Sequence, residues 1–161
     1  MPEQSGEIDF ALAAWLEDGD WQVQDIASPA YETIESLSHA LRHVSGEAGA
    51  VGMVAVAEDF FVIVRVDHTT ARVLLSDVTA ADEWELAQSA IDFLGLPPPE
   101  DDDVEVPAGD LDLLGDLGLH ASELGALLDD VELYPDDVLS DIASRLGFGD
   151  LFDDAVGLTS A

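Results

Sequence analysis

Residues 60–77 decide the fold. They read Phe60-Phe61-Val62-Ile63-Val64-Arg65-Val66-Asp67, then the link His68-Thr69-Thr70, then Arg72-Val73-Leu74-Leu75-Ser76-Asp77. Two apolar runs of strand length, rich in β-branched residues and joined by a short polar link, predict consecutive antiparallel strands. Their near-continuous apolarity leaves no face for solvent, so the sheet is expected to be covered on both sides. A helix follows at once. Thr79-Ala80-Ala81-Asp82 has capping-box spacing, and Asp82, Glu83 and Glu85 suit the positive end of a helix dipole. Trp84, Ala87, Ile91 and Leu94 supply an inner stripe, and Gly95 is a natural stop.

Upstream, Ala50–Ala57 is a further buried strand, with Gly52 allowing close approach of a neighbour. Three strands with short links imply a meander. Ser28-Pro29 predicts a helix start, after which Ile34, Leu37, Leu41 and Val44 fall on one face. His39, Arg42 and His43 decorate the other, and Gly46–Gly49 ends the helix. Asp18-Gly19 marks a hairpin between strands at 8–17 and 20–26, with Ile8, Phe10, Leu12 and Ala14 pointing inward. The element order over residues 7–96 is therefore ββαβββα, an α+β sandwich with a five-stranded antiparallel sheet. This order resembles the roadblock, longin and profilin-like folds, and the resemblance implies a helix over each sheet face.

Residues 97–108 are a linker, stiff prolines followed by the like charges of Asp101-Asp102-Asp103. Residues 109–161 then form a small all-α C-terminal unit. Its apolar stripes are Leu111, Leu114 and Leu117; then Leu124, Leu127 and Leu128; then Val138, Leu139, Ile142, Ala143 and Leu146. Asp150–Val156 adds a last turn. A unit of this size has too little core to stand alone, so it is expected to dock on the sheet domain, residues 1–96, or on a partner.

The charge is extreme. There are 36 acidic residues against four arginines and no lysine, for a formal net charge of −32. Nearly half the residues are apolar, so a core forms despite that charge. Such a chain repels phosphate, which excludes direct nucleic-acid binding and disfavours an anionic membrane. Basic partners are steered towards it. Solubility alone is the competing reason for the acidity, and the residues leave both open. Without cysteine there is no disulfide framework or thiol chemistry. No signal peptide and no span-length apolar run is visible, so the expected location is cytoplasmic.

Motifs for chemistry are missing. The zinc deaminase pattern needs His-x-Glu and Pro-Cys-x-x-Cys, a P-loop needs lysine, and a dinucleotide site needs Gly-x-Gly-x-x-Gly after a strand. His39 and His43, four apart, could show two imidazoles to a metal, but no third ligand is evident and a solvated face is the expectation. Ser76-Asp77, at a strand end, reads as local capping. No cofactor and no metal is expected.

Larger stretches carry a resemblance. They are Asp9-Phe10-Ala11-Leu12-Ala13 with Glu17-Asp18-Gly19 and Trp21; Glu58-Asp59-Phe60-Phe61-Val62-Ile63-Val64-Arg65; and Leu74-Leu75-Ser76-Asp77-Val78-Thr79-Ala80-Ala81. Gly109-Asp110-Leu111 with Asp116-Leu117-Gly118-Leu119, and Leu133-Tyr134-Pro135-Asp136 with Arg145-Leu146-Gly147-Phe148-Gly149-Asp150, complete them. On these the chain resembles the actinobacterial tRNA adenosine deaminase-associated proteins. The resemblance implies an accessory protein rather than a deaminase, and carries no catalytic residues. The expected function is thus non-enzymatic: an acidic protein–protein interaction partner of a basic tRNA-handling enzyme, a tRNA adenosine deaminase above all. The contact residues expected are Asp101, Asp102, Asp103, Tyr134, Asp136 and Asp137, and a homodimer is a further possibility. The alternatives are a nucleic-acid mimic acting as an inhibitor or immunity-type protein, and a small-molecule sensor domain.

Overall fold

The computed structural model describes residues 8–26, 33–44, 49–56, 60–67, 70–82, 84–95, 107–129 and 135–156. The chain is α+β. Strands β1 (Ile8–Glu17) and β2 (Asp20–Asp25) are followed by helix α1 (Ile34–Val44), then β3 (Ala50–Val56), β4 (Phe60–Val66), β5 (Ala71–Leu75) and α2 (Glu85–Leu94). A two-residue strand β6 (Ala108–Gly109) and helices α3 (Ala121–Asp129), α4 (Pro135–Leu146) and α5 (Gly149–Val156) complete it.

The strands form one antiparallel sheet in the order β2-β1-β3-β4-β5-β6. The β1–β2 hairpin turns at Asp18-Gly19, both with positive φ (55° and 85°), the backbone that a two-residue turn demands. Among the described residues the sheet has six strands, not five. The sixth joins the last residue read as linker to the first read as helical unit: Ala108 and Gly109 pair with Leu75 and Leu74 and so shield the outer edge of β5. Gly109 has φ 120°, and a Cβ there would collide with the Val73 carbonyl, so only glycine lets the chain lie this close.

Alternation along each strand splits the core in two. Ala11, Ala13, Val54, Val56, Phe60, Val62, Val64, Val73 and Leu75 face α1 and α2. Leu12, Ala14, Val51, Met53, Ala55, Phe61, Ile63 and Leu74 face the C-terminal helices. Two expectations are corrected here. The sheet does not carry one of α1 and α2 on each face, because both lie on the first and the segment from residue 110 onward covers the second. Nor is β1 buried only through its even-numbered residues. It sits between β2 and β3, so Ala11 and Ala13 are buried in addition to Leu12 and Ala14.

Helix boundaries shift for local reasons. The described part of α1 starts behind Thr33, whose Oγ1 accepts from Ser36 N at 3.1 Å while Ser36 Oγ accepts from Thr33 N at 3.3 Å. Ser28-Pro29 lies outside the described residues. Thr79 does not cap α2, because its backbone N–H and hydroxyl both donate to Asp77 Oδ1 (2.8 and 2.6 Å). That closes a 3₁₀ turn, Val78–Asp82, and α2 begins only at Glu85. Gly95 ends it in the left-handed region, as expected. The stretch from Asp110 to Leu117 is turn and 3₁₀ rather than regular helix, with Leu113 and Leu114 as its buried residues. Val138, Leu139, Ile142, Ala143 and Leu146 all face inward on α4.

Polar ties hold the second layer. Arg65 and Arg72 lie opposite each other on β4 and β5, on the face that the 110–113 turn covers. Arg65, buried, donates from Nη1 to the Leu113 carbonyl at 3.0 Å. Arg72 Nε lies 3.6 Å from Asp110 Oδ2, and its Nη1 reaches the Asp112 carbonyl at 3.5 Å. At the far edge, Trp21 of β2 donates from Nε1 to the Leu146 carbonyl at 3.1 Å and packs on Phe148, ring centroids 4.6 Å apart. That bond satisfies a carbonyl of the last turn of α4, which has no partner within the helix. Arg145 braces α4 to α3, with Nε 3.0 Å from Asp141 and Nη1 3.4 Å from Glu123.

Candidate interaction surface

Arg65 is buried against the Leu113 carbonyl, whereas Arg72 and Arg145 are exposed and pair with Asp110, Asp141 and Glu123 at the surface of the second layer. Arg42, the fourth arginine, lies exposed on α1. Against it stand exposed carboxylates on both layers. Asp20 and Asp25 lie on β2, Glu35 on α1, Glu85 and Asp92 on α2, Asp129 on α3, Asp137 on α4, and Asp150 and Asp154 on α5. The acids are therefore spread over both layers and not gathered in one track.

Of the six residues expected to contact a partner, Asp137 is exposed in the first turn of α4. Asp136 precedes it in the same turn. Asp101, Asp102, Asp103 and Tyr134 lie outside the described residues. Helix α4 does belong to the layer that covers the sheet, since Val138 and Leu139 enter its core.

The residues considered for chemistry have local partners. Ser76 Oγ accepts from Phe61 N at 2.8 Å and the Ser76 N–H donates to the Phe61 carbonyl at 3.0 Å, so Ser76 extends the β4–β5 pairing. Asp77 closes the 3₁₀ turn described above. His39 and His43 are exposed, with Nε2 atoms 3.2 Å apart and rings edge to face. Among the described residues no group of three or more His, Asp or Glu side chains is placed to hold a metal ion. A depression of about 290 Å³ over β4 and β5 is lined by Arg65, Asp67, Thr70, Arg72 and Asp112, both charges mixed, with the arginines turned to the covering turn. No helix among the described residues is long and apolar enough to cross a membrane.

One feature of this surface escapes the sequence reading. Between α1 and α2 lies a groove of about 370 Å³, bordered by Glu35, Glu85, Asp92 and Phe93. Phe93 is 45% exposed. The signal for it was present: Phe93 is a large apolar residue off the Ala87–Ile91–Leu94 stripe, on the side of α2 that the stripe turns to water.

Three comparisons bear on what such a surface serves. No solved structure matches the chain. A protein of Mycobacterium tuberculosis named Protein Rv3753c is 36% identical over 144 residues, which cover 88% of this chain and 83% of the relative. The family model for Rv3753c-like tRNA adenosine deaminase-associated protein matches residues 9–149, a span that runs from the first strand through the beginning of the last helix. The chain therefore belongs to the Rv3753c-like tRNA adenosine deaminase-associated protein family.

Proposed function

We propose that the chain is a non-enzymatic accessory protein of the cytoplasm that binds a basic, tRNA-handling enzyme, the tRNA adenosine deaminase of its own cell. The observation that carries this reading is the division of charge. Arg65 is buried, and Arg72 and Arg145, though exposed, pair with Asp110, Asp141 and Glu123 of the chain itself, while further carboxylates lie exposed on both layers. An enzyme that holds tRNA needs a positive surface, and an acidic protein meets that surface by electrostatic steering. The family name, which describes an associate of the deaminase, supports the same partner. Attraction between the net charges sets the rate of encounter, and a few apolar anchors set the affinity. The acidic linker residues Asp101, Asp102 and Asp103, together with Tyr134 and with Asp136 and Asp137 in the first turn of α4, are the proposed contacts.

The spread of acids over both layers favours this reading over a nucleic-acid mimic, which requires carboxylates spaced along one track like phosphates. The test is titration of the purified deaminase with the full chain over a range of salt. A complex should form at low salt, its affinity falling as ions screen the charges. Asp136→Lys combined with Asp137→Lys should weaken it several-fold. Light scattering on the same samples reports whether one or two copies of the chain take part. Absence of a complex at any salt overturns the proposal.

A further inference from the structure

The groove between α1 and α2 carries the proposal one step further. α2 turns Leu86, Ala87, Ala90 and Ile91 to the sheet, yet keeps Phe93 on its outer side. Exposing a phenyl ring to water is unfavourable by itself, and exposed aromatic side chains beside a groove are the usual anchors of interfaces. Around this ring the groove presents Glu35, Glu85 and Asp92, and no cationic side chain among the described residues lines it. The floor is already built. Ile34 is fully buried, and its backbone N–H donates to Ser89 Oγ at 2.8 Å, which locks the start of α1 to the middle of α2. A groove formed in advance loses little conformational freedom when occupied.

We infer that this groove is the anchoring part of the partner interface and takes a lysine- or arginine-bearing segment of the enzyme, the cationic side chain lying on Phe93 and paired with the surrounding carboxylates. The inference rests on the accessory reading above and names a surface for it. The chemistry of the occupant follows from charge complementarity, since a cation over an aromatic ring gains from the ring quadrupole as well as from the acids. The two other occupants at hand are both acidic. The chain's own linker carries Glu100 to Asp103, and a second copy would bring the same carboxylates against this face. The other exposed large apolar residue among those described, Leu151 on α5, lies beside fewer acids, with Asp150 bordering its groove.

The experiment compares those two residues. Binding of the purified tRNA adenosine deaminase from the same cell is measured at about 50 mM salt, where surface charges are least screened, with wild type, Phe93→Ala, Leu151→Ala and the double variant Glu85→Lys/Asp92→Lys. All four substituted residues sit at exposed positions, and thermal melts confirm the fold. Phe93→Ala and the double charge reversal should each weaken binding roughly tenfold or more, and Leu151→Ala should leave it unchanged. Wild-type affinity in Phe93→Ala and in the charge reversal, or a loss confined to Leu151→Ala, overturns the groove and leaves the accessory function standing. No binding by wild type overturns both.

Discussion

The two faces of the sheet are covered in different ways. The first takes α1 and α2, each joined to its strands by a short connection, and its interior is almost purely apolar. The second takes a segment that returns across a proline-rich and acidic linker, and it is fastened by Arg65, Arg72 and Trp21 as well as by leucines and phenylalanines. The difference teaches what a distant cover needs. A helix adjacent in sequence is held close by its own loop, so apolar burial suffices to place it. A unit returning after a long linker has a larger loop entropy to overcome and must be fixed in register. Directional hydrogen bonds to the Leu113 and Leu146 carbonyls, at its two ends, supply that register.

The largest effect expected is from removing the second cover. A chain ending at Gly95 would expose Leu12, Met53, Phe61, Ile63 and Leu74, a continuous apolar sheet face, and would lose the strand that shields β5. It should be recovered as aggregate, or without a cooperative thermal transition. A soluble, cooperatively melting product would show that the first face folds alone and would break the comparison. The same reasoning bears on the partner: loss of binding on deleting residues 97–161 cannot be assigned to contacts, because the deletion uncovers the core. Point substitutions at exposed positions are the cleaner instrument.

Trp21 should come next. Its ring stacks on Phe148 and its Nε1 donates to Leu146 at the corner between α4 and α5. Trp21→Ala should cost about 3 kcal/mol, the lower end for losing a large aromatic side chain because this one is only partly buried. Trp21→Phe keeps most of the packing and removes the hydrogen bond, so about 1 kcal/mol is expected. Denaturant melts of both variants separate packing from tether. Equal losses would mean that the hydrogen bond alone secures that end of the cover.

The contrast between the faces also explains what was legible in the sequence. Periodicity predicted the strands, the stripes of α1 and α2, and the inward residues of α4, because those follow from local burial at periods of two and 3.6. Cover on both faces was legible from Phe60–Val66, where no position is left for water. Which segment covers which face was not, since alternation marks two faces without saying what packs on each. Ala108-Gly109 was lost because two residues carry no period, and Thr79 because its hydroxyl had two possible partners and Asp77 lay nearer. An arginine inside an otherwise apolar strand was the signal for the buried tie at Arg65. Of the candidate surface, its acidity was plain from composition. Phe93 and the groove were not, because the groove is made by two helices that three strands separate in sequence.

The smallest effect lies on the first face, and it tests whether that layer is placed by shape alone. Gly52 lies on β3 directly beneath α1, and a Cβ there would stand 2.9 and 3.2 Å from the two methyls of Leu41. Those methyls end a side chain that has room only to push on α1, since Leu41 is fully buried. Gly52→Ala should therefore cost about 1 kcal/mol through overpacking. Leu41→Ala alone should cost about 3 kcal/mol through the cavity it leaves. In the double variant the new methyl occupies part of that cavity, so its cost should fall clearly below the sum of the two. Strict additivity in chemical denaturation would mean that α1 stands off the strand and is held by something other than contact with Gly52. The first face would then depend on polar ties as the second does, with the Ile34–Ser89 hydrogen bond as the first to examine.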